Sequence, residues 1–115
     1  GVIINISSGA AFEGQIGQSA YSGSKAGVNG MNIPAARELA RYGIRVNSIA
    51  PGLFGTPMVK SLGEKVVNSL VEMCEAPKRM GEMEEFAHTC SFLFENGYMN
   101  GRIVRLDGAT VMQAK

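Results

Sequence analysis

The sequence predicts an α/β fold with parallel strands. Three observations carry this. Two β-branched apolar runs, Val2–Ile6 and Ile44–Ala50, flank a long helical segment. A third run, Arg102–Leu106, follows further helical patterns. The resulting order is β-α-β-α-α-β, and such alternation favours a parallel sheet with helices packed on it.

The first strand runs through Val2-Ile3-Ile4-Asn5-Ile6 to about Ser7. A nearly continuous apolar run suits a parallel strand covered on both faces. Such a strand wants neighbours on both edges. The chain opens on Gly1, inside this strand. The expectation is that the 115 residues are the C-terminal part of a longer protein.

Ser8-Gly9-Ala10-Ala11 leaves the strand through small residues. Ligands of open α/β sheets gather at the carboxyl ends of strands, which is where Ser8 sits. A serine there also suits a local turn hydrogen bond. Residues 9–18 form a loop carrying Phe12, Glu13, Gln15 and Gln18, either a pocket mouth or a solvated connection.

A helix is expected over about Ser19–Tyr42, ending at Gly43 as the C′ residue. Pro34 should kink or restart it. Gly23, Gly27 and Gly30, with Ala20 and Ala26, give it a face of little bulk, suited to tight packing against a second helix. Tyr21 and Lys25 lie four apart near its start, so both side chains share one face. A phenol titrates near about 10, and a neighbouring ammonium favours its ionised form. A hydroxyl, a phenol and an ammonium suffice to move a proton on or off a carbonyl oxygen.

The second strand ends at Pro51-Gly52, again at a carboxyl edge, with Thr56 following. Backbone amides and a hydroxyl there suit an amide or phosphate group, or simply a rigid turn. Ser61-Leu62-Gly63-Glu64 has the spacing of a capping box. The helix it opens carries Val66, Val67, Leu70, Val71 and Met73 and fades near Ala76-Pro77, as a lid or as core. Glu82, Glu84 and Glu85 suit the start of the next helix. Phe86, Cys90, Leu93 and Phe94 mark its buried face, and Gly97 stops it. Asp107-Gly108 turns out of the last strand, and the tail from Thr110 has no pattern.

Composition narrows the function. Eleven basic and ten acidic residues are spread along the chain, so no basic patch recommends nucleic acid as a partner. No apolar run approaches the roughly 20 residues of a membrane span. Cys74 and Cys90 lack a metal-ligand spacing and read as reduced thiols. His88, the only histidine, reads as a helix-surface residue, and no metal site is expected.

Ile4-Asn5-Ile6-Ser7-Ser8, Tyr21-x-x-x-Lys25, Ile44-Arg45-Val46-Asn47, Pro51-Gly52-x-x-x-Thr56 and Val104-Arg105-Leu106-Asp107-Gly108 together resemble the C-terminal half of the short-chain dehydrogenase/reductase family. The resemblance spans nearly all of the chain and implies the C-terminal half of a Rossmann-like doubly wound sheet, without the glycine-rich dinucleotide loop. It implies an NAD-dependent oxidoreductase interconverting a secondary alcohol and a ketone, with NADP a possible cofactor because its determinant lies upstream. Tyr21 would be the general acid/base. Lys25 would lower the Tyr21 pKa and hold the nicotinamide ribose, which Tyr21 also adjoins. Ser8 would polarise the substrate oxygen. Pro51, Gly52, Leu53, Phe54 and Thr56 would hold the nicotinamide carboxamide. The family's catalytic asparagine would lie upstream, a role that neither Asn5 nor Asn47 takes. Gln15 and the 61–75 helix are the further candidates for substrate contact.

The stretches Ala11–Gln18 and Ile49–Pro57 are similar to the family branch acting on 3-hydroxyacyl-CoA. The implied partners are thus an acyl-CoA or another small secondary alcohol or ketone, and a second copy of the protein in a dimer or tetramer. The implied compartment is the cytoplasm or the mitochondrion. A 3-oxoacyl-carrier-protein reductase and a non-catalytic assembly module of the same fold are the alternatives.

Overall fold

The computed structural model describes residues 1–115. Three strands, β1 (Val2–Ile6), β2 (Arg45–Pro51) and β3 (Ile103–Leu106), form a parallel sheet in the order β1-β2-β3. Val2 pairs with Arg45 and Ile6 with Ile49; Ser48 pairs with Ile103 and Pro51 with Leu106. Four α-helices accompany them: α1 (Ser19–Leu39), α2 (Pro57–Lys60), α3 (Glu64–Val71) and α4 (Met83–Glu95). The α/β class and the strand assignments of the sequence reading hold.

β2 is the centre of the molecule, and Val46 through Ala50 are all buried. Two of these five are polar, and side chains alternate between the faces of a strand. On one face Ser48 Oγ donates to Asn32 Oδ1 of α1 at 2.8 Å, and Asn32 Nδ2 donates to the Arg102 carbonyl. On the other, Asn47 Nδ2 donates to the Met99 carbonyl at 2.9 Å, and Asn47 Oδ1 accepts from the Arg102 amide at 3.0 Å. Each buried amide is thereby paired, which removes the cost of burying it. Arg45, on the Asn47 face, donates to the carbonyls of Leu93, Phe94 and Met99, so a cation covers the last turn of α4.

Three expectations need correction, and the small face of α1 finds no partner within this chain. α1 runs unbroken through Pro34 and is followed by a 3₁₀ turn at Ala40–Tyr42; Pro34 omits only the bond to Gly30. The small face at Gly23, Gly27 and Gly30 is open, for a Cβ built at any of them meets nothing within 4 Å. Ser61 does not cap a helix. It donates to the Met58 carbonyl, and α3 instead starts at Gly63, whose φ of 96° suits only glycine comfortably. The expected 61–75 helix is therefore shortened to Glu64–Val71, and α2 is a separate helix before it, capped by the Thr56 hydroxyl and opened by Pro57. The capping box that does form joins Glu82 and Glu85 at the start of α4. Leu93 is fully buried, but Phe94 is 61% exposed because the buried stripe passes through position 93.

β1 pairs on one edge only. Ile3 and Ile6 are 41% and 43% exposed. No helix is long and apolar enough to cross a membrane.

Candidate active site

The carboxyl ends of all three strands open on one side, and the candidate residues collect there. Ser8 follows β1 and caps the 3₁₀ turn Gly9–Ala11. Its Oγ accepts from the Ala10 amide at 3.1 Å. The local turn bond and a place in the site are thus compatible, since the amide fixes the oxygen and leaves its proton free to donate.

Tyr21 and Lys25 sit in the first two turns of α1. The Lys25 ammonium lies 5.9 Å from the centre of the Tyr21 ring. Its Nζ donates to the Ile6 carbonyl at 3.0 Å, and Ser7 Oγ donates to the Lys25 carbonyl at 3.4 Å. These bonds tie the helix to the end of β1 and hold the cation beside the phenol. Tyr21 is 46% exposed.

Ser8 and Tyr21 line one cavity of about 480 Å³. Pro51, Gly52 and Leu53 form its floor, and Met58, Leu70 and Met73 bring an apolar wall from α2, α3 and the residues after α3. Gln15 is not among its lining residues; its backbone donates to Gln18 Oε1 at 2.8 Å, and Gln18 reaches the cavity instead. A second cavity of about 460 Å³ lies along Pro51, Gly52, Phe54 and Thr56, bounded by Val59, Met83 and Phe86.

The segment between the two cavities is held firmly. Gly52 packs so closely on Asp107 that a Cβ would fall 2.9 Å from the Asp107 Cα. The Gly81 amide donates to the Leu53 carbonyl, and the Gly55 amide to the Gly81 carbonyl. Phe54 stacks edge-on against Phe86 with ring centres 5.7 Å apart. The amides of Leu53 and Phe54 donate to no group of the chain. Two free N–H groups beside the Thr56 hydroxyl fit the carboxamide of a nicotinamide, which offers an oxygen and an NH₂.

The sequence reading missed the far wall. Arg105, Asp107, Thr110 and Met112 all line the Ser8–Tyr21 cavity. In the sequence Arg105 stands out only as part of a strand and its motif, and the tail has no periodicity. The Arg105 guanidinium pairs with Glu13 and Asp107. The hydrogen bond from Arg105 holds the Glu13 carboxyl below the usual carboxylate range.

Comparison with known proteins agrees with this architecture. The short chain dehydrogenase family model matches residues 1–67. Human 3-hydroxyacyl-CoA dehydrogenase type-2 is 57% identical over 113 residues, 98% of this chain and 43% of that protein. Human (3R)-3-hydroxyacyl-CoA dehydrogenase is 43% identical over 114 residues, 97% of this chain and 43% of that protein. The crystal structure of 3-hydroxyacyl-CoA dehydrogenase type-2 from Mycobacterium avium superposes with a TM-score of 0.95 at 48% identity, covering 100% of this chain and 45% of that one. The chain spans less than half the length of these relatives. With a family match over more than half its residues, the chain belongs to the short-chain dehydrogenase family.

Proposed function

We propose that residues 1–115 are the catalytic, C-terminal part of one short-chain dehydrogenase domain. It interconverts 3-hydroxyacyl-CoA and 3-oxoacyl-CoA with NAD(H). The observation that carries this is the convergence of Ser8 and Tyr21 on one cavity, with the Lys25 ammonium fixed beside the phenol by the Ile6 carbonyl. The names of the relatives support the substrate, and so does the apolar wall, which suits an acyl chain.

In the reducing direction Tyr21 gives its phenolic proton to the substrate oxygen as negative charge develops there. Ser8 donates a second hydrogen bond to the same oxygen, which strengthens as the charge grows. Lys25 places a positive charge next to the tyrosine as it loses its proton. In the oxidising direction Tyr21 takes the proton back. A bound nicotinamide supplies or accepts the hydride. The Leu53 and Phe54 amides and the Thr56 hydroxyl would hold its carboxamide, and Pro51 and Gly52 would form the surface on which it rests.

The test is an assay of the complete gene product with acetoacetyl-CoA and either NADH or NADPH, and with the matching acyl-carrier-protein substrate. Turnover of the CoA thioester with NADH is expected. Turnover confined to the carrier-protein substrate with NADPH would contradict the reading.

A further inference from the structure

Arg105 stands at the carboxyl end of β3, and its guanidinium reaches in two directions. Toward residues 9–18, Nη1 donates to Glu13 Oε2 at 3.2 Å and Nη2 to Glu13 Oε1, a bidentate pair. The same group lies over the Phe12 ring, 4.9 Å from its centre. Toward the tail, Nε donates to Asp107 Oδ2 at 2.9 Å, and Nη2 to the Thr110 carbonyl at 3.4 Å. The two segments meet again where the Ile16 amide donates to the Ala114 carbonyl at 2.8 Å.

This cluster is not an ordinary surface ion pair. The Arg105 and Glu13 side chains are only 33% and 28% exposed, the geometry is bidentate, and two carboxylates share one cation. Networks of that kind escape the weakness of isolated exposed pairs. Four of the five guanidinium N–H groups are engaged, so Arg105 has little left with which to receive an anionic ligand. One cation between two carboxylates also leaves the cluster net negative, which disfavours a phosphate there.

What Arg105 can do is hold a wall. Residues 9–18 connect Ser8 to the helix carrying Tyr21, and the tail brings Thr110 and Met112 to the same cavity. The lining of that cavity also includes Met58 and Met73, whose unbranched side chains adapt to different shapes. A deformable lining selects by length only where its frame is fixed.

We propose that Arg105 is a positioning residue that clasps the 9–18 loop to the 107–114 tail and thereby sets which acyl chain lengths the cavity accepts. The clasp rests on the geometry alone; its role in length selection rests also on the acyl-CoA reading above.

The test uses the complete gene product and its Arg105→Met, Arg105→Lys and Glu13→Gln variants. Amide hydrogen exchange without substrate reads the clasp. Arg105→Met should speed exchange in both segments about tenfold, and Glu13→Gln should loosen the tail as well. Lysine carries the charge but cannot form the bidentate pair, so Arg105→Lys should not restore protection. Steady-state kinetics read the selection. The ratio of KM values for a long and a short 3-oxoacyl-CoA should change at least about fivefold in Arg105→Met. Unchanged exchange in both segments overturns the clasp. Equal KM changes for the two chain lengths, or a fall in kcat alone, overturn the selection. A wild-type protein inactive on both thioesters, with exchange responding as expected, overturns the substrate reading and leaves the clasp standing. Should Arg105→Met fail to fold, Glu13→Gln carries the same comparisons.

Discussion

The Lys25 ammonium donates to the Ile6 carbonyl at 3.0 Å, so the cation beside Tyr21 is anchored on the strand that leads to Ser8. With the bond from Ser7 Oγ to the Lys25 carbonyl, it ties α1 to the end of β1. Lys25→Met removes both the anchor and the charge. The complete gene product should lose roughly 100-fold or more in kcat, a loss typical of removing one electrostatic stabiliser. Its far-ultraviolet circular dichroism should be unchanged. Wild-type kcat in this variant would remove Lys25 from the mechanism.

Gly52 is the point of closest approach between β2 and the turn after β3. A Cβ there would lie 2.7 Å from the Asp107 Cβ and 2.9 Å from its Cα. Backbone cannot yield as a flexible side chain does, so Gly52→Ala must spread the two strand ends. The expected cost is about 1–3 kcal/mol, read as a lower urea midpoint with an unchanged slope. An unshifted midpoint would show that the approach is not constrained.

Arg45 covers three carbonyls at the end of α4 and in the loop beyond it. Arg45→Met keeps much of the aliphatic stem and leaves the Leu93 and Phe94 carbonyls unpaired, while Asn47 still serves Met99. A loss of about 2 kcal/mol is expected in equilibrium unfolding. Exchange should quicken first in the last turn of α4 and in residues 96–100. Uniform exchange across the chain would argue against a local capping role.

The Glu13 carboxyl is held below its ordinary range, first by the hydrogen bond from Arg105. A carboxyl depressed on folding stabilises the native state above its unfolded pKa. That contribution fades as pH falls through the folded value. The stability difference between wild type and Glu13→Gln should therefore be constant from pH 7 to about 5 and shrink below about 4. Urea unfolding across that range reads it. A difference that stays constant into acid would contradict the pairing.

The sheet and the clustering of Ser8, Tyr21 and Lys25 at one end of it were legible because their signals are local. An apolar run marks each strand, a four-residue spacing puts Tyr21 and Lys25 on one face, and Ser8 follows a strand end. Asn47 and Ser48 are polar residues buried in the central strand. Their partners, Met99, Arg102 and Asn32, lie far along the chain, and only the folded structure joins them. The same holds for Arg105 and Glu13, which are 92 positions apart. Ser61-x-x-Glu64 matched a capping pattern, yet Gly63 supplied the turn by its backbone alone. The tail reads as patternless because its order comes from single contacts, Thr110 buried and Ala114 bonded to Ile16, and not from a repeating face.

The central claim is that Tyr21 exchanges the proton of the substrate oxygen. Its most direct test is Tyr21→Phe in the complete gene product, assayed by acetoacetyl-CoA reduction. The substitution removes one hydroxyl from a half-exposed side chain, so the fold should survive. The rate should fall about 10²- to 10⁴-fold, the usual contribution of a positioned acid or base. Reduction at the wild-type rate would contradict the account.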